Sequence, residues 1–320
     1  MTSLTSIDLE RLPDFQQQKM RMAKQLRQLS VFAEGIDSDR AVAVRQGATD
    51  LVALTFNVAV IGEFNRGKTT LVNALLGRPG LLTAAPLPNT AAITRIAATE
   101  AGDAEYYRVV FRDPKRDPVV SVDLAGLTPY ANDSHGHKSS NAESVERIEL
   151  FLDSDFLRRS GIVLIDTPGL GAISRAHQDV TERIIPTVHA ALFVFMVDPP
   201  PGAAEIAFLR FSQAYISRFL FVMNDKHDLS RQSPADAAAV IAYAQRELAT
   251  AGIESPPVIS LNPGAFLRGA DGGFAAFGPI LAEFLIAGRG RALLHDAIRK
   301  ADQHISALDK ALTRQIADTD

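Results

Sequence analysis

The chain has 320 residues, 47% hydrophobic and 22% charged, with a formal net charge of −4. That length allows a large core in one or two domains, and the slight acidity argues against a protein that coats nucleic acid. The absence of cysteine excludes disulfides, thiolate metal sites and cysteine nucleophiles, and it suits a reducing cytoplasm.

The N-terminus, "MTSLTSIDLERLPDF", has no basic stretch followed by an apolar core, so no secretory signal is read there. From residue 14 to 54 the pattern is helical, with Phe15, Met22, Leu26, Leu29 and Ala33 on one stripe. Residues 55–288 alternate strand and helix. "FNVAVIG" is an apolar strand, and "TTLVNALLG" begins a helix that stops at Gly77 and Pro79. "AAITRIAAT" and "EYYRVVFRD" read as a hairpin about "EAGD", and "SVERIELFL" and "GIVLID" as a further pair. "AALFVFMVD", "RFLFVMN" and "PPVISL" follow, each apolar and each preceded by a helix. The expected fold is α/β, with a central, mostly parallel sheet covered by helices. "HAALFVFMV" and "FGPILAEFLIAG", the longest apolar runs, are shorter than the ~20 residues that span a bilayer, so membrane contact is expected to be peripheral. Beyond residue 290, Leu294, Ile298, Ala301, Ile305, Leu308 and Leu312 form a heptad seam that needs a covering helix. The two terminal segments are either surface helices on the main domain or a bundle of their own. The length of both stripes favours the bundle. The expected domains are 1–54, 55–288 and 289–320.

Chemistry enters at "GEFNRGKTT" (62–70), between a strand and a helix. Gly62, Gly67, Lys68 and Thr69 satisfy G-x-x-x-x-G-K-[ST] in the context the motif demands. The glycines let backbone N–H groups converge on phosphate oxygens, and the helix adds its positive N-terminus. Lys68 is expected to reach the β- and γ-phosphates and the Thr69 hydroxyl to ligate Mg²⁺. Glu63, Asn65, Arg66 and Thr70 complete the loop set. Arg66 is the one extra cation there, acting on its own γ-phosphate or across a dimer, with a solvated loop arginine as the alternative. "PLPNTAAITRI" puts Thr90 before a strand, where its hydroxyl could close over Mg²⁺ and its carbonyl orient water; Thr94 and Thr83 are weaker candidates.

"IVLIDTPGLG" ends a strand in Asp166, a carboxylate placed to hold a Mg²⁺-bound water, and Gly169 N–H is expected to bond the γ-phosphate. Leu170, Gly171 and Ala172, which follow, offer no catalytic glutamine. In "RFLFVMNDKHDL", Lys226 and Asp228 fit the K-x-D that reads guanine: an aspartate accepts from N1–H and N2–H₂, which adenine does not present. The position before the lysine is Asp225, which when ionised only accepts, so Asn224 would have to compensate and ATP stays open. Ser260 in "VISLN" is a weaker candidate on the far side of the base. His135 and His137 read as a solvated loop, "RDPKRDP" as a hairpin tip, and "DPPPG" (198–202) as a stiff turn.

"GEFNRGKTTLVNALLG", "PLPNTAAITRI", "DTPGLG" and "DKHDL", in that order between long helices, resemble the bacterial dynamin-like GTPases. The resemblance covers the GTPase domain. It implies a large GTPase that hydrolyses GTP to GDP with Mg²⁺, pairs with itself or a homologue across the nucleotide, and remodels or tethers membrane. It implies roles for Lys68, Thr69, Thr90, Asp166, Gly169, Lys226 and Asp228 as above, no nucleic-acid partner, and a cytoplasmic location at the inner face of the membrane. It also implies a helical neck, with a trunk and lipid-binding tip beyond it; either the native chain continues past Asp320 or this member works without them. Phe64 and Asn65 depart from the glutamine and serine of eukaryotic dynamins, which puts water orientation or monovalent-cation contact through that position in doubt. The alternatives are a switch GTPase that binds a protein partner without membrane work, and an ATP-using scaffold.

Overall fold

The computed structural model describes residues 12–38, 41–42, 44–45, 48, 56–84, 93–113, 115–130, 144–167, 184–254, 256–285, 305–310 and 312–313. The chain divides into two compact units, one built within 57–282 and the other from 8–56 together with 283–320.

In the second unit, α1 (Leu12–Glu34) buries one stripe of its surface. Ala23 and Leu26 pack with Val44 and Ala48, which are themselves helical. Ala33 packs with Ala41 and with Leu308 near the C-terminus, so the two ends of the chain share a core. Of the expected C-terminal seam, Leu308 is buried while Ile305 and Leu312 are exposed. Leu294, Ile298 and Ala301 lie outside the described residues.

Among the described residues the first unit is organised by one nine-stranded sheet, in the order β4 (Val119–Ser121), β3 (Tyr106–Phe111), β5 (Val145–Leu152), β2 (Ile93–Ala98), β6 (Ile162–Asp166), β1 (Phe56–Ile61), β7 (Ala190–Met196), β8 (Phe219–Asn224) and β9 (Val258–Leu261). At its centre β1 is buried along its whole length: five of its six residues are apolar, as burial on both faces requires, and the polar Asn57 donates Nδ2 to Thr187 O at 3.0 Å. β7 (Ala190–Met196), β8 (Phe219–Asn224) and β9 (Val258–Leu261) extend it as successive parallel neighbours. Helices α5 (Ala203–Gln213) and α7 (Pro234–Thr250) supply Ile206, Leu209, Ala244 and Leu248 to the core around Phe193, Phe195 and Phe221.

The other side of the sheet differs from the strand pairs expected. β2 (Ile93–Ala98) and β3 (Tyr106–Phe111) are not a hairpin: β5 (Val145–Leu152) lies between them, parallel to β2 and antiparallel to β3. A hairpin about "EAGD" would set Arg95 opposite Arg108, and like charges directly opposite are destabilising. The observed order instead sets both arginines opposite Glu149. Nor do β5 and β6 (Ile162–Asp166) pair, because β2 intervenes and runs antiparallel to β6. The segment joining them is helix α4 (Asp155–Ser160), capped by Ser154, with Asp155 in its first turn and Arg158 and Arg159 in its last. The "RDPKRDP" reading agrees: it joins β3 to the antiparallel β4 (Val119–Ser121).

Candidate functional site

The loop from Gly62 to Gly67 leaves β1 and enters α2 (Lys68–Leu76). Its two glycines are fixed by neighbours as well as by backbone freedom. Gly62 has φ 149° and a Cβ there would stand 2.2 Å from the Val194 carbonyl oxygen of β7. Gly67 has φ 87°, and its Cβ would stand 2.1 Å from Asn224 Nδ2. At Gly62 a side chain would meet fixed backbone, and at Gly67 it would displace the Asn224 amide and strain a left-handed residue. Asn65, also left-handed at φ 60°, completes the turn. At its far end α2 closes on Gly77, and the buried Asn73 side chain accepts Leu82 N–H at 3.1 Å, tying α2 to α3 (Leu81–Ala84).

Lys68 is buried and folds over the loop, donating to the carbonyls of Gly62 (3.1 Å) and Glu63 (2.8 Å). Desolvation lowers its pKa to about 8, against the pull of Asp166, Glu205 and Glu63. Thr69 Oγ1 donates to Asp166 Oδ2 at 3.0 Å. Burial raises the Asp166 carboxyl to about 6, although Lys68 and the Thr69 hydroxyl act in the opposite direction. Its second oxygen, Oδ1, is buried with no hydrogen-bond partner among the described residues. A hydroxyl and a carboxylate with an unused oxygen fit Mg²⁺, a hard cation that takes few protein ligands and keeps several waters. The adjacent Thr167 hydroxyl donates to Val60 O at 2.9 Å, so β6 is pinned to β1 just after Asp166.

Arg66 is neither solvated nor a free cation. It is 5% exposed. Nε and Nη2 bond the two oxygens of Glu205 at 3.1 and 3.0 Å, Nη1 bonds Pro199 O at 2.8 Å, and Nη2 also bonds Glu63 at 2.5 Å. Through these bonds the guanidinium braces the loop in this structure, which sets aside the solvated loop arginine given as the alternative. Glu205 and the Pro199 carbonyl were missed from sequence. The signal was the G-x-x-E spacing of Gly202 and Glu205, a glutamate on the buried face of α5.

At the other end of the site, Asn224 closes β8 and its Nδ2 donates to Arg66 O at 3.0 Å. Asp225 faces elsewhere: its carboxylate accepts Leu229 N–H (2.6 Å) and Ser230 N–H (2.8 Å), capping the turn of α6 (Leu229–Gln232). An acceptor-only side chain suits that job, while the donor expected beside the lysine is supplied one residue earlier. Lys226 is exposed. Asp228 is held at φ 54°, a costly conformation for a non-glycine residue. Asn262, at the start of α8 (Pro263–Leu267), donates to Asp228 Oδ1 at 2.7 Å and caps its own helix by accepting Ala265 N–H. Asn262 was quoted in "VISLN" without a role. Ser260 pairs its hydroxyl with that of Ser230 at 2.8 Å.

Thr70 lies in the first turn of α2, Thr94 is buried inside β2, and Phe64 is exposed in the loop. Thr90, Gly169, His135 and His137 lie outside the described residues.

These features define a phosphate-loop α/β domain with the dynamin GTPase fold. Residues 58–227 match the family model Dynamin_N, described as the dynamin family. The chain belongs to the dynamin family. Among relatives, an uncharacterised protein from the xynA 3′ region of Caldicellulosiruptor sp. is 34% identical over 56% of this chain and 42% of its own. Dynamin-like protein A of Bacillus subtilis is 26% identical over 66% of this chain and 17% of its own. The chain thus spans less than half the length of both relatives. Two solved chains of an oligomerised bacterial dynamin pair, described as providing a mechanism for long-range sensing and tethering of membranes, superpose with TM-scores of 0.57 and 0.55. They are 18% and 17% identical and are covered over 56% of their length against 96% and 95% of this chain, a likeness of fold. Among the described residues no helix is long and apolar enough to cross a membrane.

Proposed function

We propose that the chain binds GTP with Mg²⁺ and hydrolyses it to GDP and phosphate, and that nucleotide-dependent pairing of its GTPase units is coupled to work on a membrane surface. The observation that carries the nucleotide part is the Thr69–Asp166 pair with its unused carboxylate oxygen beside the Lys68 loop. In this reading Lys68 leaves the Gly62 and Glu63 carbonyls for the β- and γ-phosphates. The loop N–H groups and the N-terminus of α2 take the remaining phosphate charge. Thr69 and Asp166 would hold Mg²⁺, which would supply charge neutralisation for the phosphates. Thr90 and Gly169, outside the described residues, keep the roles expected of them, Thr90 toward Mg²⁺ and the attacking water and the Gly169 N–H toward the γ-phosphate. Asp228, steadied by Asn262, reads the guanine edge with Lys226 over the base. Asn224 keeps the loop beside that pocket, and Asp225 is relieved of any base contact.

Self-assembly, or pairing with a homologue, is supported by the oligomerised bacterial dynamin pair that shares the fold. The core shared by the two chain ends supports a helical neck as the element that nucleotide moves. Lipid contact would be made from the cytoplasmic side.

The test is Mg²⁺-dependent phosphate release from GTP and ATP across a hundredfold protein dilution series. GTP turnover whose specific activity rises with protein concentration is expected. Equal use of ATP would overturn the base assignment, and flat specific activity would overturn the pairing.

A further inference from the structure

The nucleotide reading gives Glu205 no role, yet it is 1% exposed and directed at the phosphate loop. Its carboxylate accepts three N–H groups: Arg66 Nε, Arg66 Nη2 and the Gly202 backbone at 3.0 Å. The last is half of a capping box, so Glu205 is tied to the start of its own helix as well as to Arg66. Arg66 in turn is held twice, by its side chain to Glu205 and by its carbonyl to Asn224 on β8. The peptide between Asn65 and Gly67 is therefore clamped from two different elements, at the point where the loop turns left-handed.

A buried ion pair seldom adds net stability, because desolvation offsets the attraction, and apolar replacements often do as well. What a bidentate arginine–carboxylate pair does supply is fixed geometry. A loop that must present several N–H groups to one anion gains affinity if its shape exists before the anion arrives. We propose that Glu205 is a positioning residue for phosphate binding: through Arg66 it holds the Gly62–Lys68 loop in its binding shape. This rests on the nucleotide reading above and adds to it the β7–α5 turn, whose Pro199 carbonyl takes the remaining bond to Arg66. Such a clamp acts on ground and transition states alike, so it should appear in KM before kcat.

In Glu205→Gln one acceptor becomes a donor facing N–H groups. KM for GTP is expected to rise about tenfold while kcat falls less than threefold. The double variant Arg66→Met with Glu205→Met removes both charges, so it is expected to stay folded with a melting temperature within a few degrees of the parent. It should still show the raised KM. In the nucleotide-free double variant, amide hydrogen exchange over residues 63–68 should quicken about tenfold. A folded double variant with parental KM and parental loop exchange would overturn the proposal, leaving the pair a packing feature. The exchange measurement needs no nucleotide. A parent protein that fails to bind GTP would therefore sink the nucleotide reading and still leave the clamp to be decided.

Discussion

From β1 to β9 the parallel strands contain no charged residue, and the ionisable groups sit just past their ends: Lys68 after β1, and Asp225 and Asp228 after β8. The neighbouring β6 carries its single charge, Asp166, on its last residue. From β2 to β3 the charges lie inside the strands. Arg95, Arg108 and Arg147 surround Glu149 on a half-exposed face, with Arg108 Nε at 2.7 Å, Arg147 Nε at 2.8 Å and Arg95 Nη1 at 3.8 Å. The mid-strand cluster satisfies itself. The strand-tip groups do not: Asp166 retains an unused oxygen, and Lys68 is held by carbonyls that a phosphate would replace. Similar charges thus do different work, structural where their valences are filled and available to a ligand where they are left over.

Breaking the strand-tip set should cost activity and leave the fold. Lys68→Ala is expected to lower kcat/KM for GTP by about a thousandfold, about 4 kcal/mol, with an unchanged melting curve; turnover within tenfold of the parent would remove Lys68 from the phosphate site. Asp228→Asn should weaken GTP by about a hundredfold, about 3 kcal/mol, and shift preference toward xanthosine triphosphate, read by competition with a fluorescent nucleotide. Equal weakening of both nucleotides would mean that Asp228 only shapes the turn.

The mid-strand set should respond in the opposite sense, losing stability without losing nucleotide. Glu149→Gln leaves three arginines facing one another and is expected to cost about 2 kcal/mol in denaturant unfolding. Its pH dependence sharpens the contrast. Burial alone would raise the Glu149 carboxyl, but the hydrogen bonds from Arg147 and Arg108 outweigh it and hold it below the ordinary glutamate value. A carboxylate depressed in the folded state contributes stability that is complete above its unfolded pKa and is lost as pH falls through the folded one. The parent should therefore lose stability below about pH 4.5, and the Gln variant should show a flatter acid limb. Parallel acid limbs would assign that loss to other carboxylates.

The phosphate loop, the Asp166 strand end and the K-x-D stretch were legible because each is local: a few residues at set spacing between a strand and a helix. The strand order was not. The "EAGD" turn looked like a hairpin when judged by flanking apolar runs, and only the clash of Arg95 with Arg108 in that register argued otherwise. Helix α4 had a serine cap, an early aspartate and late arginines in plain view, yet its six residues were too few to register as a period.

By itself the sequence determined the α/β alternation, the glycine–lysine loop between β1 and α2 and the K-x-D stretch after β8, since these follow from residue type and short-range geometry. Only the tertiary structure decided that Arg66 is a brace, that Asn224 and not Asp225 secures the loop, and that Asn262 steadies Asp228. Those partners stand 139, 158 and 34 positions apart along the chain. Which of many buried donors meets which acceptor at such separations depends on how strands are ordered in the sheet, and no short window of sequence contains that order.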